Sequence, residues 1–336
     1  MEDVTAGLSS LSFENGLNED EKKFLHLRAR SAGRTFCGCA HAAFMCELIL
    51  SLRGIVRRHT SNRGSLDSGD DGELCVGILG MGHLGKQLLQ ALLEKTSIKP
   101  SQIKISTRRP ELAVEFVQAG VECFFDNGRL ATWADVLFLC CLPSHLPRVS
   151  ADLHSSLPKH CLVYSFTSAV PVARLAELFG HKHILRPQYD FVVCDTPDVW
   201  LSCTCVTTAL TDSLLIEASC PLSMKGGISL GLKWVCAVLY SLLNICTSAS
   251  LGSSETLSLI NSIFKENPVQ LNAQSFINSS YASSLRSDES FPWISLTDAQ
   301  SKETPLLRFL SSSESMRQCI SAAYKSQLET TCTTTS

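Results

Sequence analysis

Charge of either sign is scarce in this 336-residue chain. Asp, Glu, Lys and Arg together make up 18%, and the net charge is −3. No basic surplus exists to bind nucleic acid or an anionic membrane through the overall field, so any phosphate recognition has to be local. The first residues, MEDVTAGLSSLSFENGLNEDEKK, are polar and acidic and contain no apolar core of the secretory kind. Together with cysteines in apolar runs, this makes a reduced cytoplasmic compartment the expectation. Internal repeats are absent. So are H-x-x-x-H and G-x-S-x-G, and the C-terminal half contains no paired-carboxylate motif. Zinc-hydrolase and serine-hydrolase chemistry thus has no local signature. Only one apolar run approaches membrane length, SLGLKWVCAVLYSLLNIC over 229–246. Lys233 and Asn244 near its ends favour a buried helix or a subunit contact over a membrane span.

Cysteine, by contrast, is plentiful at sixteen residues. Most of these cysteines stand within apolar or strand-like runs and read as small buried hydrophobes. CGCAHAAFMC, with Cys37, Cys39, His41 and Cys46, has cysteines at metal-like spacing, but no second pair of the zinc type follows. The segment reads as a helix rich in small residues, and no metal site is expected.

Along the chain, residues 1–18 read as disordered, 19–59 as one or two helices, and 60–73 as a polar linker. Strands are expected at 74–79, 103–107, 121–125, 135–142, 161–166, 183–188 and 199–206. Helices alternate with them at 83–96, 110–120, 146–153 and 172–180. Such alternation specifies βαβ units and a doubly wound, mainly parallel sheet. After Thr211 the pattern becomes helical, with candidates at 212–220, 228–248, 254–266, 269–286, 304–312 and 315–328. The expected organisation is an N-terminal extension and linker (1–72), a Rossmann-type α/β domain (73–211), an all-helical domain (212–328) and a short disordered tail (329–336).

The chemistry concentrates in VGILGMGHLG, residues 76–85, where Gly80, Gly82 and Gly85 keep G-x-G-x-x-G spacing between a strand and a helix. In that context the first glycine makes the turn, the second lets a pyrophosphate approach the backbone, and the third packs helix on strand. The helix N-terminus then presents free N–H groups to the phosphates. NAD-binding strands usually end the second strand in a carboxylate for the ribose hydroxyl. Here that strand runs into Ser106, Thr107, Arg108 and Arg109. A hydroxyl and two guanidiniums suit the 2′-phosphate of NADP(H) instead.

With these pieces in place, residues 74 to about 206 resemble the pyrroline-5-carboxylate reductase family, within the wider group of NADP oxidoreductases that includes the coenzyme F420-dependent ones. VGILGMGHLG, ISTRRPE, DVLFLCCLPSHL (135–146) and YSFTSAVPVARLAELFG (164–180) carry the resemblance. It implies that Gly80, Met81, Gly82, His83, Leu84 and Gly85 surround the pyrophosphate, and that Thr107, Arg108 and Arg109 hold the 2′-phosphate. Cys141, Leu142 and Pro143 would lie beside the adenosine or ribose, and Thr167 near the nicotinamide. Gln188 and Tyr189, just past a strand, would approach the nicotinamide, with Tyr189 the nearby phenol able to supply a proton. His145 reads as a solvent-facing loop residue.

The resemblance further implies hydride transfer to a C=N or C=O bond of a small-molecule substrate, and a homodimer formed through the C-terminal helices. Departures are also visible. Leu142 replaces the family's lysine before proline, and Arg186-Pro187-Gln188-Tyr189 stands where Met-Pro-Asn-[TS] is usual. The Gly-Ser-Gly-Pro-Ala and Pro-Gly-Gly-[TS]-[ST] motifs are missing, which counts against the proline synthesis that the resemblance implies. Two functions follow as expectations: an NADP-dependent oxidoreductase, or a catalytically inactive NADP-binding sensor or scaffold.

Overall fold

The computed structural model describes residues 18–61, 73–192, 197–201, 203, 205–223, 225–264 and 269–330. The coil expected before residue 18, nearly all of the linker expected at 60–73, and the last six residues of the expected tail lie outside these. Six strands form one parallel sheet: β1 (Val76–Leu79), β2 (Ile103–Ser106), β3 (Glu122–Phe124), β4 (Val136–Leu139), β5 (Leu162–Ser165) and β6 (Ile184–Leu185). Their order is β3-β2-β1-β4-β5-β6, and the direction of winding reverses between β1 and β4. This is the Rossmann arrangement expected of apolar strands buried on both faces; all four residues of β1, β4 and β5 are buried.

Helices α2 (His83–Lys95), α3 (Val114–Gln118), α4 (Asn127–Trp133), α5 (Leu146–Leu153) and α6 (Val172–Phe179) connect the strands. Leu130, Leu146, Leu153, Leu175 and Phe179 close one face of the sheet. Helix α4 has no counterpart in the sequence pattern. It is short and begins on a local cap, the Asp126 carboxylate accepting from the Arg129 N–H at 2.8 Å.

The opposite face is covered chiefly by α1 (Glu19–Ser61), a single helix of 43 residues. Phe36, Cys39, Ala40, Phe44 and Leu52 on it are essentially inaccessible. Arg53 reaches Asp135 at 2.8 Å, and the same carboxylate oxygen accepts from the Cys75 N–H at 3.0 Å. This ties α1 to the amino edge of the sheet. Gly38 packs at the other edge, where an added Cβ would stand 3.0 Å from the Phe166 ring. One apolar core therefore runs from the sheet through α1 into the C-terminal helices.

Three expected elements differ. Among the described residues of 199–206 no strand forms. Pro197–Trp200 form a 3-10 turn, and α7 (Val206–Ala209) follows. Trp200 is wedged between Gly33 and Gly226, where an added Cβ would lie 2.5 and 2.6 Å from its ring, and it donates to the Gly226 carbonyl at 2.6 Å. The helix expected at 228–248 is divided. Following α8 (Ser213–Ser219), residues Ile228–Leu230 form β8, antiparallel to β7 (Tyr189–Phe191). Helix α9 (Leu232–Ser248) starts only after Gly231. It has 17 residues, and most of its side chains are buried in the fold. Among the described residues the one helix long and apolar enough to cross a membrane is the Leu27–Ser61 part of α1, whose apolar window is 78% buried.

Beyond α10 (Ser253–Ile263), the helix expected at 269–286 is two short ones, α11 (Ala273–Phe276) and α12 (Ser279–Ser284). Asn272 and Asn278 act there as helix-starting caps and interrupt the run. Helix α13 (Leu296–Ser301) is additional, and α14 (Pro305–Ser312) and α15 (Glu314–Glu329) complete the chain.

Candidate functional site

Because all six strands run the same way, the residue groups expected at the nucleotide emerge at one carboxyl edge of the sheet. The winding reversal between β1 and β4 opens a crevice there. In the turn after β1 the three glycines have three different environments. Gly80 adopts φ +102°, and a Cβ on it would stand 3.2 Å from the Cys140 carbonyl. A Cβ on Gly85 would stand 2.1 Å from the Gly80 carbonyl oxygen, which no side chain can meet. A Cβ on Gly82 would meet nothing within 4 Å. Gly80 and Gly85 are thus required by the protein itself, whereas Gly82 borders open space above the helix start. Gly82 caps α2 without any side-chain hydrogen bond, leaving the first N–H groups of the helix free of side-chain acceptors. Met81 and Leu84 are half-buried against the core; His83 is exposed and bonds to Gln87.

At the neighbouring tip, Ser106 is buried, its hydroxyl donating to Asn127 Oδ1 at 2.7 Å. The Thr107 N–H donates to the Phe124 carbonyl at 2.8 Å, which holds the following loop. Arg108 and Arg109 are exposed, and among the described residues no carboxylate forms an ion pair with either. The tip presents two available guanidiniums beside the helix that would receive a dinucleotide phosphate.

On the β4 side, the Cys140 N–H donates to the Leu79 carbonyl at 2.9 Å, keeping the two strand tips joined at the base of the crevice. Cys141 is half-buried, and burial pushes its thiol above the usual range. Leu142 is 63% exposed and Pro143 begins a 3-10 turn, so both line the rim. His145 is half-buried at the end of that turn. Thr167, after β5, is buried, its hydroxyl 2.5 Å from Ser165 Oγ and directed into the protein. Gln188 is exposed at the rim.

Tyr189 is placed deeper than its position suggested. Its hydroxyl lies 2.9 Å from His41 Nδ1, and His41 Nε2 lies 2.7 Å from the Ser219 carbonyl. A carbonyl can only accept, so Nε2 carries the ring proton and Nδ1 accepts from the tyrosine. Burial lowers the His41 pKa to about 4 and pushes the Tyr189 phenol well up, which keeps both neutral. His41 also lies against the Trp234 and Tyr324 rings, at centroid distances of 5.3 and 5.6 Å. The sequence offered no sign of this pairing, because 148 residues separate its members.

Cys37 and Cys39 are deep in α1, where burial raises their thiols far above the usual range. Among the described residues no group of three His, Cys, Asp or Glu side chains is arranged to hold a metal.

The chain is similar to several known proteins. Residues 75–168 match the sequence profile of the family described as NADP oxidoreductase coenzyme F420-dependent. The mouse protein named NADP-dependent oxidoreductase domain-containing protein 1 is 41% identical over 94% of this chain and 91% of its own length. Pyrroline-5-carboxylate reductase of Escherichia coli is 31% identical over 33% of this chain and 42% of its own length, so the likeness spans less than half of the bacterial enzyme. Among solved structures, the Plasmodium falciparum pyrroline carboxylate reductase with NADP bound aligns over 76% of this chain and 98% of its own. Its identity is 14% and the TM-score is 0.31.

Proposed function

Since this chain belongs to the family of NADP-dependent oxidoreductase domain-containing protein 1, with a nucleotide-binding region like those of F420-dependent NADP oxidoreductases and pyrroline-5-carboxylate reductases, we propose that it is an NADPH-dependent reductase of a C=N or C=O bond in a small metabolite. The observation that carries this reading is the contrast within the glycine turn. Gly80 and Gly85 are glycines because the protein's own atoms require it, while Gly82 has only open space to respect. A glycine that the fold does not need is explained by a ligand that presses on the backbone.

The residues present fit the dinucleotide. Gly80 to Gly85 would hold the pyrophosphate at the start of α2, with Thr107, Arg108 and Arg109 on the 2′-phosphate. Cys141, Leu142 and Pro143 would border the ribose, and Thr167 and Gln188 the nicotinamide end. NADPH supplies a hydride when bound; the protein's part is to orient the reactants, exclude water and provide a proton. Tyr189 is the nearby phenol, yet its proton already serves His41. Protonation through Tyr189 requires that hydrogen bond to open. This specific observation favours a second reading, a nucleotide-binding sensor that performs no reduction.

Both readings are tested by titrating the protein with NADPH and NADH, following nicotinamide fluorescence and melting temperature, alongside an Arg108→Glu/Arg109→Glu variant. A ligand at a hundredfold its Kd stabilises the fold by about 2.7 kcal/mol. NADPH should produce such a shift, NADH much less, and the double variant should lose the NADPH response. Absence of any response to NADPH removes both readings. NADPH oxidation by a panel of cyclic imines and ketones then separates the reductase from the sensor.

A further inference from the structure

Arg186 follows β6 directly, at the same carboxyl edge as the glycine turn. Its Nη1 donates to the Ser168 carbonyl at 2.8 Å and its Nη2 to Gln188 Oε1 at 3.3 Å, a long bond to an exposed side chain. Its Nε is shut off from solvent and has no partner among the described residues. Among the described residues no carboxylate forms an ion pair with this guanidinium. A guanidinium cannot shed its charge, so a half-buried one with an orphaned N–H and no counter-charge is held at a cost. The backbone holds it in place all the same. The Arg186 N–H donates to Gln300 Oε1 at 2.9 Å, and Gln300 Nε2 donates to the Ile184 carbonyl at 2.7 Å.

Position limits what the missing anion can be. β1, β4, β5 and β6 are successive neighbours, so three strand spacings, about 14 Å, separate Arg186 from the phosphate turn. That is beyond contact with a pyrophosphate at Gly82. It falls in the half of the cleft bordered by Thr167, Ser168 and Gln188, where a reducible molecule would sit.

We propose that Arg186 is an anion-recognition residue of this cleft and takes the carboxylate of the molecule that is reduced. Release of Gln188 frees the Nε and Nη2 edge, whose two parallel N–H groups match the two oxygens of a carboxylate. The inference rests on the reductase reading for its substrate, but not for the anion site itself.

The test uses the full chain, with and without saturating NADP⁺, and three non-reducible probes: acetate, benzoate and cyclopentanecarboxylate, each paired with its own carboxamide. The readouts are melting temperature and calorimetric affinity for wild type, Arg186→Met and Arg186→Lys. At least one carboxylate should bind wild type more tightly than its amide. Arg186→Met should weaken that carboxylate by about tenfold to a hundredfold, Arg186→Lys should weaken it less, and amide binding should stay unchanged. Binding of 2′,5′-ADP should be the same in all three proteins.

The proposal is overturned if no carboxylate outperforms its amide in wild type. It is also overturned if Arg186→Met lowers the melting temperature yet keeps carboxylate preference, as a purely structural clamp would. Weakened 2′,5′-ADP binding in Arg186→Met would assign the residue to the cofactor and likewise overturn it. NADP⁺ binding without carboxylate preference would sink this inference alone. Carboxylate preference without NADP⁺ binding would sink the reductase reading alone.

Discussion

Gly82 and Gly85 are three positions apart, and the same substitution should destabilise the fold at one and not at the other. Gly85→Ala forces a methyl group against the Gly80 carbonyl, a contact of 2.1 Å before relaxation. We expect a loss of about 1–3 kcal/mol or more in chemical denaturation, the usual scale of overpacking, and loss of NADPH binding with it. Gly82→Ala has no contact within 4 Å and should leave the unfolding midpoint within experimental error while weakening NADPH. Equal destabilisation by both substitutions would show that the turn is glycine-rich for packing reasons only. The spacing of these glycines was plain in the sequence. Their expected division of labour was legible with it, but the contact that makes Gly85 obligatory was not, because that depends on the Gly80 carbonyl and the start of α2 folding back on each other.

Element boundaries were legible where the signal is local. Leucines at helical spacing mark α2, and Gly180 ends α6 at φ +61°. Elements set by distant partners were hidden. β8 exists because β7 pairs with it, Tyr189 opposite Leu230, and three residues of an apolar helical run are taken up by that pairing. Edge strand β6, of two residues, is stabilised from outside by α13. Gln300 occupies the place of a neighbouring strand, accepting from the Arg186 N–H and donating to the Ile184 carbonyl, while Thr297 donates to the Lys182 carbonyl. Gln300→Ala leaves two partly buried backbone groups without partners and should cost about 1–3 kcal/mol in urea unfolding. Gln300→Glu keeps the acceptor but loses the donor, and should fall between Ala and wild type. No change in either variant would mean that water replaces the amide freely.

Over the whole molecule, the C-terminal helices and the sheet share one core through α1, and that core holds neutral histidines. Burial lowers His41 to about 4 and His183 to about 3 from the ordinary 6.5. His181 is shifted the same way. Above 6.5 neither folded nor unfolded chain protonates these groups, and their burial is without penalty from pH. Below it the unfolded chain takes up protons that the folded chain refuses, so stability falls with falling pH. Each such group contributes about 1.4 kcal/mol per pH unit until its own folded pKa is reached. Urea midpoints should therefore decline between about pH 6.5 and 4, and His183→Gln should flatten the decline. A midpoint that is level over this range would contradict the buried neutral state.

The sequence by itself determined the parallel α/β sheet, the glycine turn and the carboxylate-free tip after β2. Each rests on residues within a few positions of one another: buried strands need continuous apolar runs, turns need glycine, and a 2′-phosphate needs guanidinium in reach. Tertiary structure alone decided that the 19–61 helix lies in the middle of the core, that His41 holds Tyr189, and that Arg186 has no ion pair among the described residues. Those outcomes depend on contacts between segments more than a hundred residues apart, as with His41 and Tyr189, or on the absence of a partner. Local periodicity carries no information about either.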